Sequence, residues 1–149
     1  MDDGFAVDRI DHIELFVPDR REAAEWYRRV LGLQILADAA GWADDPRGPL
    51  MISSDGGDTK LALFQGQPQG PRETAGFHRV AFRVGALAFR TFLDRLSALA
   101  LTNDRGQPVT ADDVVDHQAA YSLYFNDPFG HRLELTTYEY EHLKHLLGG

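Results

Sequence analysis

A chain of 149 residues with 44% apolar and 26% charged side chains has the size and balance of one globular domain, long enough to bury a core without cross-links. It contains no cysteine, which excludes disulfides, thiolate metal sites and cysteine nucleophiles, so a metal here would need His, Asp or Glu. The formal net charge of −8 speaks against binding a nucleic-acid backbone, no apolar run reaches the length of a membrane span, and the acidic start Met1-Asp2-Asp3-Gly4 lacks a signal-peptide core, so a cytoplasmic location is expected.

Residues 9–17 alternate, with Ile13, Leu15 and Val17 on one face and His12, Glu14 and Phe16 on the other, the pattern of a half-buried strand. Pro18-Asp19 ends it. Asp19 is placed to cap a helix over 20–31, whose Ala23, Trp26, Tyr27 and Val30 recur at helical spacing. Gly32 suits the position that stops that helix. Strand-like runs follow at 33–36, 50–53 and 60–64, the last after a hairpin turn at Asp55-Gly56-Gly57-Asp58. Residues 65–76, rich in Gly and Pro, read as a linker. The order then repeats. A strand over 77–84 precedes a helical stripe of Phe89, Phe92, Leu93, Leu96 and Leu99. Strands follow at 114–117, 121–125 and 131–136, with a turn at Asp127-Pro128-Phe129-Gly130. Residues 138–147 are expected to form a short helix.

These elements predict an α+β fold in a single domain, 1–149. Two βαβββ modules, at about 1–64 and 77–137, flank the linker at 65–76, and a tail runs over 138–149. In the first strands the phases agree, matching Ile13 with Val80, Leu15 with Phe82 and Val17 with Val84. The modules are expected to pair their curved sheets as an incomplete barrel around one cleft, the default place for a ligand. Phe16, Trp42, Phe64 and Tyr121 are aromatics able to line it. Trp26 and Tyr27 read as helix packing, and His142 and His145 as an exposed helix face.

The segments DHIELFVPD (11–19), EWYRRVLGL (25–33), GFHRVAFRV (76–84) and YFNDPFGHRLEL (124–135) resemble the four signature segments of the vicinal-oxygen-chelate superfamily, the glyoxalase, bleomycin-resistance and extradiol-dioxygenase group. The resemblance spans nearly the whole chain. It implies a metal site in the cleft, with two His and one Glu supplied by the first strand of each module and the last strand of the second. Such a set suits Fe, Mn, Zn or Ni and leaves open positions for a chelating substrate. His12 and Glu134 fall on two of these positions. The third is open between two residues. Counting back from Val84 in the family's phase puts Arg79 at the ligand position and His78 on the other face, and Arg cannot ligate a metal. A bulge near Gly76 would turn His78 inward as the third ligand. Otherwise Arg79 enters the cleft, where it would bind an anionic ligand or pair with Glu134.

The corresponding position in the first module falls near Ala62 or Leu63, so the four-ligand pattern of glyoxalase I is not met. Tyr124, ten residues before Glu134, resembles the acid/base tyrosine of extradiol dioxygenases. His117 and Phe16 are candidate substrate contacts. Asp58 and Thr59 stand near the place where extradiol enzymes carry a second-sphere His. Two functions follow. One is a metal-dependent small-molecule enzyme resembling ring-cleaving dioxygenases or glyoxalase-type isomerases and lyases, with a divalent metal, bound vicinal oxygens of substrate and Tyr124 as catalytic residue. The other is a metal-free ligand-sequestering protein resembling the bleomycin-resistance proteins. Retention of His12 and Glu134 favours the first, and Arg79 the second. A homodimer is expected, because incomplete barrels leave sheet edges that need cover.

Overall fold

The computed structural model describes residues 4–37, 44–67 and 76–148; Trp42 and linker residues 68–75 lie outside these. The chain divides into two compact units, Met1–Pro71 and Arg72–Gly149. In the first, β1 (His12–Val17), α1 (Arg20–Leu31), β2 (Gln34–Ile35), β3 (Leu50–Ser53) and β4 (Lys60–Gln65) follow one another. The strands form one mixed sheet in the order β1-β4-β3-β2, with β1 parallel to β4. In the second, β5 (Val80–Arg83), α2 (Ala86–Leu99), β6 (Val115–Asp116), β7 (Tyr121–Asn126), β8 (Arg132–Thr137) and α3 (Tyr140–Leu146) give a sheet of order β5-β8-β7-β6. The α+β class is therefore as expected, with two four-stranded mixed sheets. No helix among the described residues is long and apolar enough to cross a membrane.

Local chemistry explains the boundaries. Asp19 accepts the N–H of Glu22 at 2.9 Å and starts α1; Gly32, at φ 72°, ends it in the left-handed conformation. Leu15, Val17, Tyr27, Val30, Leu50, Ile52, Leu61 and Leu63 are buried, so one face of the sheet packs under α1. In the second unit Phe89, Phe92, Leu96, Leu123, Phe125, Leu133 and Leu135 do the same. The α2 N-terminus lacks a capping side chain of its own. The Glu139 carboxylate accepts the Ala86 N–H at 2.7 Å instead, and a Cβ on Gly85 would stand 2.9 Å from that oxygen. α3 is tied down by Tyr140, whose ring stacks on Tyr121 at 4.7 Å and whose hydroxyl donates to Asp116 at 2.8 Å. That hydrogen bond holds the Tyr140 phenol well above its ordinary range.

The internal repeat extends to register. Ile13 pairs with Leu61 in one sheet and Val80 with Leu133 in the other, and Met51–Ala62 corresponds to Tyr124–Glu134. Several strands are shorter than the alternation suggested. β5 begins at Val80, so Phe77, His78 and Arg79 approach the sheet without belonging to it, and β6 stops before His117. Tyr121 is corrected as a candidate for the open face. It shares the helix-side face of β7 with Leu123 and Phe125 and is buried against Tyr140.

The turn between β7 and β8 hangs on one buried carboxylate. Asp127 accepts the N–H groups of Phe129 and His131 at 2.9 and 2.8 Å and meets His131 Nδ1 at 2.6 Å. Replacing Asp127 with Ala leaves those donors without this acceptor. The expected loss is about 2 kcal/mol of unfolding free energy, read from urea melts with an unchanged m-value.

Candidate functional site

β8 carries the chemistry of the second unit. Leu133 and Leu135 are buried on the helix side, so Glu134 projects from the opposite face, between Ala81 of β5 and Tyr124 of β7. Glu134 is half-buried, and its carboxylate accepts the Ser122 hydroxyl at 2.8 Å. Ser122 lies 3.1 Å from Thr136 Oγ1, which donates to the Tyr121 carbonyl at 3.2 Å. Tyr124 meets His117 Nε2 through its hydroxyl at 3.0 Å. The Arg79 guanidinium carbon lies 4.4 Å from the centre of the Tyr124 ring. No ion pair joins Arg79 to Glu134 among the described residues, so that alternative for Arg79 is not formed.

Arg79 is incompletely satisfied. Its Nε is buried and has no hydrogen-bond partner. A cation–π stack contributes about 1 kcal/mol, whereas a buried donor left without an acceptor costs about 1–3 kcal/mol. The stack does not offset the missing acceptor. A cavity of about 260 Å³ opens at this point, with Arg79, Tyr124, Asn126, Asp104, Arg105 and Gln107 in its wall. Asp104 is already engaged by the Asn126 amide at 2.9 Å and by Arg132 at 3.2 Å.

In the first unit His12, Glu14 and Phe16 share one face of β1, as the alternation predicted. His12 sits between two carboxylates, with Nδ1 2.8 Å from Asp11 and Nε2 3.1 Å from Glu14. Hydrogen bonds to Asp11 and then Glu14 raise its pKa from the ordinary value. Lys60, the cross-strand partner of His12, donates to Asp11 at 3.0 Å. Phe16 is half-buried and packs against Phe64 with centroids 6.2 Å apart. Ala62 faces Glu14 across the ladder, so no donor occupies that place on β4.

The metal set implied by the resemblance does not fit at its third position. Since Ile13–Leu61 and Val80–Leu133 are equivalent pairs, the residue equivalent to His12 is Arg79. His78 is exposed, and its Nδ1 accepts Arg132 Nη1 at 2.9 Å. Among the described residues no three His, Asp or Glu side chains gather to hold a metal ion.

A family model for the Glyoxalase/Bleomycin resistance protein/Dioxygenase superfamily matches residues 9–135. The chain belongs to this superfamily. No curated protein matches it. Among solved structures, an oxidase, ChaP-H2, is 19% identical with a TM-score of 0.64, covering 89% of this chain and 94% of that one. A glyoxalase/dioxygenase from Nostoc punctiforme is 20% identical with a TM-score of 0.65, over 87% and 90% of the two chains. A mutant of the fosfomycin resistance protein FosX from Listeria monocytogenes, complexed with Mn(II) and 1S,2S-dihydroxypropylphosphonic acid, is 16% identical with a TM-score of 0.64, over 89% and 93%. At these identities the likeness shows the fold of the glyoxalase superfamily member, and its chemistry must come from its own residues.

Ser122, Asn126, Asp104 and Arg132 were not singled out from the sequence. Ser122, Tyr124 and Asn126 are alternate residues in YSLYFN, so the open face of β7 could have been found by its polarity. Asp104 could not, because it arrives from the loop after α2. Hydrogen bonding from Asn126, then from Arg132, together with the charges of Arg132 and Arg79, holds the Asp104 carboxyl below its ordinary value of 3.8. A depressed carboxylate contributes stability above that value and loses it as pH falls through the folded pKa. In Asn126→Ala the Asp104 midpoint should move up toward 3.8, as read by carboxyl-carbon NMR. An unmoved midpoint would mean that Arg132 and Arg79 hold it without Asn126.

Proposed function

We propose that this superfamily member is a metal-free small-molecule binding protein that uses Arg79 where a metal ligand would otherwise stand, and so takes an anionic ligand by charge and hydrogen bonding. The carrying observation is the guanidinium stacked on Tyr124 with an unpartnered buried Nε, at the register position equivalent to His12. Arginine stays protonated and offers only donors, so it binds oxyanions and repels cations. Tyr124 with His117, and Glu134 with Ser122, supply polar groups on the same face of the sheet. In needing no metal this reading resembles the bleomycin-resistance proteins.

A second reading, a metal-dependent enzyme of the dioxygenase or glyoxalase kind, is favoured by Glu134, half-buried on the open face of β8, and by His12 on the open face of β1. FosX with its Mn(II) makes that metal a reasonable probe. In it His12, Glu134 and His78 would be ligands and Tyr124 the catalytic group.

One experiment separates them. The purified chain is titrated with Mn(II), Fe(II), Zn(II) and Ni(II), and bound metal is measured after gel filtration. The wild type should retain none stoichiometrically. Arg79→His, which restores an imidazole at the position equivalent to His12, should gain affinity about tenfold or more. Stoichiometric metal in the wild type, abolished in His12→Ala, would establish the enzyme reading instead. We also assign a homodimer, and sedimentation at micromolar concentration should give about 33 kDa, twice 16.7 kDa. A monomer mass would exclude it.

A further inference from the structure

We infer that the cavity beside Tyr124 binds a small organic carboxylate, anchored by Arg79 and closed by Arg105. This deepens the metal-free reading and rests on it. The cavity lies wholly within the second unit, under the loop that follows α2. Asn103 shapes that loop. Its side-chain oxygen accepts the N–H groups of Arg105 and Gln107 at 2.9 and 3.0 Å, and its carbonyl accepts that of Gly106 at 2.9 Å. The backbone is thereby fixed so that Asn103, Arg105 and Gln107 all reach the cavity wall.

The charges around it do not cancel locally. Two carboxylates and two guanidiniums line the space. Asp104 is paired with Arg132 at 3.2 Å, and Asp113 accepts the Thr110 N–H at 2.8 Å in the capping box of a short 3-10 turn. Arg79 and Arg105 form no ion pair among the described residues. With Arg132 counted against Asp104, Arg79 and Arg105 stand against the single charge of Asp113, a balance of one positive charge at the cavity on a chain whose net charge is −8. A carboxylate matches a guanidinium through two parallel hydrogen bonds, one of which can come from Nε. Arg79 lines the cavity, and its Nε is a donor still without a partner. The volume of about 260 Å³ is below the span of drug-sized pockets, which begin at about 300 Å³. It admits a single ring or a short chain. The Tyr124 ring gives the organic part an apolar surface.

The test is calorimetric titration of the full chain with benzoate, and with benzamide and inorganic phosphate as comparisons. Benzoate should bind saturably at one site per chain, benzamide should not, and phosphate should bind more weakly than benzoate. Arg79→Gln should weaken benzoate about tenfold or more, and Arg105→Gln, in an exposed loop, several-fold. If Arg79→Gln proves unfolded by circular dichroism, amide NMR of the wild type decides. Benzoate must then shift the Arg105 and Gln107 amides, and shifts confined to other regions overturn the site. No benzoate binding, equal binding by folded Arg79→Gln, or tighter binding of phosphate also overturns it. Metal content is measured separately. A chain that is metal-free yet indifferent to benzoate refutes this inference alone, whereas stoichiometric metal refutes the reading beneath it.

Discussion

The pairing of β8 with β5 on one side and β7 on the other is the constraint from which the second unit's chemistry follows. Leu133 and Leu135 are committed to the helix side by burial. The alternation then leaves Glu134 on the other face, and the two ladders fix its neighbours as Ala81 and Tyr124. A slip of one residue would bury the carboxylate and expose two leucines, so the apolar core enforces the polar register. Ser122 follows from the same rule. It is two residues from Tyr124 on the same face, and it is close enough to hold the Glu134 carboxylate in one orientation.

The same register makes the two halves comparable residue by residue. Each sheet has an edge strand parallel to its neighbour and then two antiparallel pairings, in the same order. Superposing the pairs sets His12 against Arg79, Ala62 against Glu134 and Met51 against Tyr124. The repeated fold thus carries different side chains at equivalent places. In the first unit the imidazole rests among carboxylates; in the second a guanidinium rests on an aromatic ring. Conserving backbone hydrogen bonding does not require conserving donors, because ladder groups are satisfied whatever side chain projects from them.

Much of the fold was legible because burial acts on periodic patterns. The alternation in IELFV and RLEL and the helical stripe at Phe89, Phe92, Leu96 and Leu99 each map onto one buried face. The Asp19 cap and the Gly32 stop were readable since a single residue type performs each task, and the turn at 127–130 since Pro and Gly mark it, though the Asp127 carboxylate that holds it was not foreseen. What escaped depended on contacts across the sequence. The α2 N-terminus borrows its cap from Glu139, far along the chain, and nothing local to Gly85 announces that. The choice between His78 and Arg79 was left open for a different reason. They precede the first ladder pair of β5, so strict alternation does not govern them, and their directions are set by Arg132 and Tyr124 respectively. The resemblance of the motifs supplied the candidate positions but could not say which donor a departure from the pattern would favour.

Electrostatics gives that departure its direction. A guanidinium and a divalent ion about 4 Å apart repel by roughly 8 kcal/mol at an effective dielectric near 20, before any ligand bond is counted. An Arg at this position therefore does more than fail to ligate; its fixed positive charge repels a cation. The same cation suits an oxyanion, and around Arg79 the local acids are already occupied: Asp104 by Asn126 and Arg132, Glu134 by Ser122. Those prior commitments leave the neighbouring carboxylates without an ion pair to Arg79 among the described residues, although its charge still acts on Asp104. Site and scaffold are thus linked through Arg132, which holds Asp104 and donates to His78. The residue that takes up the competing acid also occupies the competing imidazole, and the guanidinium of Arg79 is left as the group with an unmet need for an acceptor.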